Sequence, residues 1–223
     1  MYSTMKKTNY VSFLLLILIL LEQSAFAQID IFTEDFWKVA SVGTVARIDD
    51  VNAADEYGKT TLMWAVSFSN KLDVIDKLIE MGADIKATDE YGGTALMNAA
   101  SINESPEIIN KLIELGADIN ARDKFDSSAL FFAAALNKNP EVIKALVEAG
   151  AEINAKHQYN WTALMSAVYN NYNPKIVEML LDLGADPKIK DDHGKTVLDY
   201  AKERKYEKFR PDLYKRLQEA TAQ

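Results

Sequence analysis

The sequence predicts an all-α solenoid: stacked helix-turn-helix units joined by β-hairpin-like loops, with a period of 34 residues. Three markers keep that period. TTLM at Thr60 becomes TALM at Thr94, SALF at Ser128, TALM at Thr162 and TVLD at Thr196. A glycine-turn signal moves in step at Gly82-Ala83-Asp84, Gly116-Ala117-Asp118, Gly150-Ala151-Glu152 and Gly184-Ala185-Asp186. Prolines fall at Pro106, Pro140 and Pro174. A fixed period in this range means supersecondary units that cannot bury an apolar face alone and so stack on copies of themselves.

Taken in order, residues 1–27 read as a cleavable export signal. Lys6 and Lys7 precede an 11-residue apolar run, Val11 to Leu21, and Ala25-Phe26-Ala27 supplies small residues before Gln28. Eleven residues fall short of the roughly 20 a helix needs to cross a bilayer, so no stable membrane anchor is expected after cleavage. Met5 begins a second candidate start. The expected location is the periplasm or outside the cell.

Residues 28–54 read as an N-terminal cap of reduced form. Thr33 to Val42 is expected to form one helix with Phe36, Trp37 and Ala40 inward, and a second helix is missing or shortened between Gly43 and Ile48. Trp37 is read as a cover for the open end of the core.

Four full units occupy 55–190. In the second, Thr94 is suited to cap a first helix, whose inward side is Leu96, Ala99 and Ala100. Pro106 opens the second helix at its first position, where a missing N–H costs nothing. Ser105, Asn139 and Asn173 precede the prolines and are placed to cap, and Glu107 and Glu141 suit the helix dipole. Ile108, Ile109, Leu112 and Ile113 follow at helical spacing. Gly116 supplies the left-handed residue that ends the helix. Phe68, Ile102 and Leu136, one per unit, are read as core packed under the turn between helices. Residues 191–223 read as a C-terminal capping repeat and helix: Leu198 and Ala201 inward in its first helix, then Pro211 opening a last helix with Leu213 and Leu217 inward. Its Lys and Arg residues are interleaved with Asp and Glu, which marks a solvated face.

Composition narrows the function. There is no cysteine and hence no disulfide or thiol chemistry, and a formal charge of −8 argues against nonspecific nucleic-acid binding. The two histidines, His157 and His193, lie in loops about two units apart, too far for one metal ion. The recurring Asp55, Asp89, Asp123 and Asp191 are read as turn residues that bond the loop backbone. No nucleophile motif or P-loop is present. No catalytic, cofactor or metal site is expected.

Asp-x-x-Gly-x-Thr-x-Leu-x-x-Ala, a second helix ending in Leu-Ile, and Gly-Ala-Asp-Ile-Asn-Ala together resemble the ankyrin repeat, from about Ile48 to about Lys202. The usual Thr-Pro-Leu-His is altered here, and apolar contact by Met63, Met97, Phe131 and Met165 is expected in place of histidine hydrogen bonds. The period is one residue longer than usual, the extra one falling between the helices. The loop glycine (Gly58, Gly92, Gly194) is replaced by Asp126 and Asn160, which also tolerate positive φ. The resemblance implies a non-catalytic, monomeric module that binds a protein partner of unknown identity on a concave face built from loop tips and first helices. Carried onto this sequence, that face holds Tyr57, Tyr91, Phe125 and Tyr159 at the tips, Trp161 beside them, and Trp64, Asn98, Phe132 and Ser166 on the helices. The aromatic column is open to two readings: a recognition rim, or rings packed on adjacent loops to hold the array. Trp64, Phe132 and Trp161 break the periodic pattern and are read as binding residues. Two functions of this class follow, an exported interaction scaffold and an inhibitor, immunity-type or supporting partner of an envelope enzyme or toxin. An enzyme with a site on the concave face is the reading from another class, and no sequence feature speaks for it.

Overall fold

The computed structural model describes residues 30–222. The export signal read at residues 1–27 lies outside them.

Thirteen α-helices are described, and none is long and apolar enough to cross a membrane. The chain opens with α1 (Glu34–Val39) and α2 (Val42–Val45). The four units then contribute α3 (Thr61–Phe68) and α4 (Leu72–Glu80), α5 (Ala95–Ile102) and α6 (Pro106–Glu114), α7 (Ala129–Leu136) and α8 (Pro140–Glu148), and α9 (Ala163–Asn170) and α10 (Pro174–Asp182). The C-terminal part is α11 (Val197–Glu203), α12 (Tyr206–Phe209) and α13 (Pro211–Ala222). First helices α3, α5, α7, α9 and α11 pack in one layer, and second helices α4, α6, α8, α10 and α13 in another.

The local signals act as the residue chemistry requires. The side chains of Thr60, Thr94, Ser128 and Thr162 each accept a backbone N–H three residues on. Thr196 forms a reciprocal capping box with Asp199. Asn139 and Asn173 cap through their side chains, whereas the Ser105 hydroxyl turns to Glu107. Gly82, Gly116, Gly150 and Gly184 all lie at positive φ, ending each second helix. The core is one continuous apolar stack, with Leu62, Leu96, Leu130 and Leu164 in the first layer and Leu78, Leu112, Leu146 and Leu180 in the second. Alanines at 65, 99, 133 and 167 are fully buried, and their small side chains let first helices approach closely.

Several expectations are revised. The first N-terminal helix stops at Val39 rather than Val42, because Ala40 leaves the helical region, and the shortened second helix begins at Val42, capped by Ser41. Phe36, Trp37 and Ala40 are buried as expected, and the Trp37 indole donates to the Ile31 carbonyl at 2.6 Å. In α11 the buried residues are Val197, Tyr200 and Ala201, while Leu198 is only partly buried. Phe131 is half-buried and stacks on the His157 ring at 4.3 Å, whereas Met63, Met97 and Met165 are buried. Of the row expected under the turn, Phe68 packs against the core partly buried, whereas Ile102 is 46% and Leu136 59% exposed and these two are not core.

A second inter-repeat device accompanies apolar packing. Asn103, Asn137 and Asn171 are buried at the start of the turn between helices. Each amide nitrogen donates to two carbonyls of the preceding unit: Asn103 to Val66 (2.8 Å) and Ser69 (3.0 Å), Asn137 to Ala100 and Asn103 (both 2.9 Å), Asn171 to Ala134 (3.0 Å) and Asn137 (2.8 Å). Each amide oxygen accepts an N–H two residues on. At the C-terminal end the Tyr206 hydroxyl takes over, donating to the Val168 carbonyl at 2.9 Å.

A groove between the loop tips and the first helices

Four of the five loops are closed by a leading aspartate, and the other begins with His157. One carboxylate oxygen of Asp55 accepts the N–H groups of Tyr57 and Lys59, both at 2.9 Å. Asp89 does the same for Tyr91 and Gly93, Asp123 for Phe125 and Ser127, and Asp191 for His193 and Lys195. Isolated β-bridges join Ala54 to Thr60, Thr88 to Thr94 and Lys156 to Thr162, and no extended strand occurs among the described residues. Asp126 and Asn160 take positive φ where other loops have glycine, and Tyr159, at the tip before Asn160, does so as well.

Successive tips are joined by main chain. The carbonyls of Tyr57, Tyr91, Phe125 and Tyr159 accept the N–H groups of Glu90, Lys124, Gln158 and Asp192 at 2.8–3.2 Å. Their rings stay half-exposed. Only one pair in the column stacks among the described residues, Tyr91 on Phe125, with centroids 6.4 Å apart and planes at 26°. Backbone hydrogen bonds therefore hold the tips in register, and the rings face outward without that task.

The predicted binding residues do not form one surface. Tyr57, Tyr91, Phe125, Phe132 and Asn98 come together in a groove of about 530 Å³, together with Met97, Ser101 and Leu136. Trp64 borders a neighbouring hollow with Asp30, Phe32 and Glu56, and its indole donates to the second oxygen of Asp55 at 2.9 Å. Trp161 lies at the C-terminal end, its indole 3.1 Å from the Tyr200 hydroxyl and its ring against Tyr169 and Tyr200. Trp161 thus cements the last repeat to its cap. Tyr159 is exposed but outside the groove. Ser166 is fully buried and accepts a hydrogen bond from Asn170, so it offers no contact surface. Asn98 is nearly buried and donates to the Thr94 carbonyl at 3.0 Å.

Leu136 was missed at the sequence level because its apolar character and helical register suit a core position. Asp89 and Asp123 also border the groove, although their sequence role is only that of turn residues.

Charge is perturbed at the C-terminal end. Burial pushes the Tyr200 phenol up to about 12, helped by its hydrogen bond to Asp191. Burial also acts to raise the Asp191 carboxyl. The Tyr200 hydroxyl and the N–H groups of Lys195 and His193 outweigh it, and the carboxyl lies below its usual range. This cluster is structural, a hydroxyl fixed between a tryptophan and a carboxylate. No group of three or more His, Cys, Asp or Glu side chains is placed to hold a metal ion among the described residues.

Comparison with known families finds matches to ankyrin repeats in three copies, over residues 96–191 and 130–211, and to ankyrin repeats in many copies, over residues 62–113. No curated protein matches the chain.

Proposed function

Because the chain belongs to the ankyrin-repeat family, whose repeats generally mediate protein–protein interaction, we propose that it docks a partner protein in the groove between its loop tips and first helices. The observation that carries this reading is the state of Tyr91, Phe125, Phe132 and Leu136. They meet in one groove, keep exposed surface, and are not needed for register, which the main chain supplies. Aromatic and aliphatic side chains on a rigid frame give large contact area with little ordering entropy. The docking is non-catalytic and its mechanism is display.

The reading extends to an exported module, on the strength of the Lys6-Lys7, apolar-run and Ala-Phe-Ala order at residues 1–27. Sequencing the N-terminus of the chain recovered outside the cytoplasm is expected to give Gln28 first. A chain retained in the cytoplasm with an intact N-terminus would sink the export reading.

Docking is tested by using the chain as bait in extracts of cells that make it, beside Phe132→Ser/Leu136→Ser. A partner captured by the first and lost by the second, at equal melting temperature, is the expected result. Retention by the folded double variant would move the interaction to another surface.

A further inference from the structure

Resting on the docking reading above, we propose that the groove takes an arginine side chain, carried on an extended, apolar-flanked segment of the partner, with its guanidinium against Asp89 and Asp123.

In the four loops led by an aspartate, one of its oxygens is committed to two backbone N–H groups; the remaining loop is led by His157. The other oxygen faces the first helix, where these four repeats carry Trp64, Asn98, Phe132 and Tyr200 at one periodic position. At the two ends this position supplies a donor: Trp64 bonds Asp55 and Tyr200 bonds Asp191. In the middle it does not. Asn98 turns its amide to Thr94, and Phe132 has no donor. No donor among the described residues reaches the second oxygen of Asp89 or Asp123, and both residues line the groove.

Gly93 keeps the first of these oxygens open. A Cβ there would stand 2.6 Å from Asp89 Oδ2. The result is a pair of carboxylates, each with an uncommitted acceptor, set among apolar and aromatic groups. A carboxylate in such surroundings favours a cationic donor. Arginine fits better than lysine because its planar fork pairs with carboxylates and lies on aromatic faces such as Tyr91 and Phe125, while its stem suits Phe132 and Leu136. Lys59, the one cation in the lining, sits at the edge shared with the neighbouring hollow and forms no ion pair among the described residues.

The test uses the whole chain and an array of pentapeptides, acetyl-Ala-Leu-X-Leu-Ala-amide, with X each standard amino acid or citrulline. Arginine at X is expected to bind about ten-fold better than its neutral isostere citrulline, and the advantage is expected to shrink with added salt. Asp89→Asn/Asp123→Asn keeps the side-chain oxygen that accepts the loop N–H groups, so the fold persists, checked by an unchanged melting temperature. This variant is expected to bind arginine and citrulline alike, whereas Asp118→Asn, on a distant turn, keeps the preference. Equal binding of arginine and citrulline by the unaltered chain overturns the inference, as does a preference that survives the double substitution or an array that binds nowhere. If the partner captured by the bait is still lost in Phe132→Ser/Leu136→Ser, docking stands without arginine. If it is retained, both readings fall.

Discussion

Asn137 donates two hydrogen bonds to carbonyls of the preceding unit and accepts a third within its own turn, all without solvent. Truncating it strands buried groups whose desolvation is no longer offset. Asn137→Ala is expected to cost about 1–3 kcal/mol, read as a lowered urea midpoint. Asn139→Ala, which removes an exposed cap, should cost less. An Asn137→Ala midpoint equal to that of the unaltered chain would show that water replaces the amide. The sequence held the signal for this ladder, since Asn103, Asn137 and Asn171 keep the 34-residue period. Their burial was not legible, because asparagine in a turn is ordinarily explained by local backbone bonding. The same limit applies to Asp89 and Asp123. Their loop role could be read from residue type, whereas the missing donor for their second oxygens depends on Asn98 and Phe132 across the groove.

At the scale of the element, capping and periodicity carried the reading. Ser and Thr at the first-helix caps, proline at the second-helix starts and glycine at their ends all act locally, so a single strand of sequence is enough to place them. Leu112 on α6 is fully buried between units. Leu112→Ala is expected to destabilise by about 2–5 kcal/mol through the cavity it opens, measured by thermal or urea unfolding, and a change below about 1 kcal/mol would mean that neighbouring helices collapse onto the space. Elements at the ends were less legible. The break between α1 and α2 and the short α12 each depend on one residue leaving the helical region, Ala40 in the first case and Lys205 in the left-handed conformation in the second. Neither residue type announces that. Tyr206, at the start of α12, is buried and ends the asparagine ladder, a role that its polar neighbours in sequence conceal.

Across the whole molecule, the stack is finished by polar clusters whose charge state matters. Asp199, bonded by the Thr196 N–H and hydroxyl, and Asp191, bonded by Tyr200 and two loop N–H groups against the opposing effect of burial, both lie below the ordinary carboxylate value of 3.8. The stability they contribute is complete above that value and is lost as pH falls through their lower folded values. Tyr200 works in the other direction. Its contribution is complete below the ordinary phenol value of 10.0 and is lost as pH rises through about 12. The melting temperature of the chain is therefore expected to fall below pH 4, and Asp191→Asn to flatten that fall. An identical acid slope in the variant would place the sensitivity elsewhere. The asparagine ladder has a consequence at this scale as well. Each rung meets its neighbour through backbone carbonyls, which every amino acid carries, so one interior joint is chemically equivalent to the next. An in-frame duplication or loss of 34 residues between two rungs would leave every bond of the ladder satisfied. Only Ser69 and Tyr206, at the two ends, would have to stay where they are. The array is thus open to lengthening and shortening by recombination, and the extent of the groove is a quantity that heredity can adjust one unit at a time.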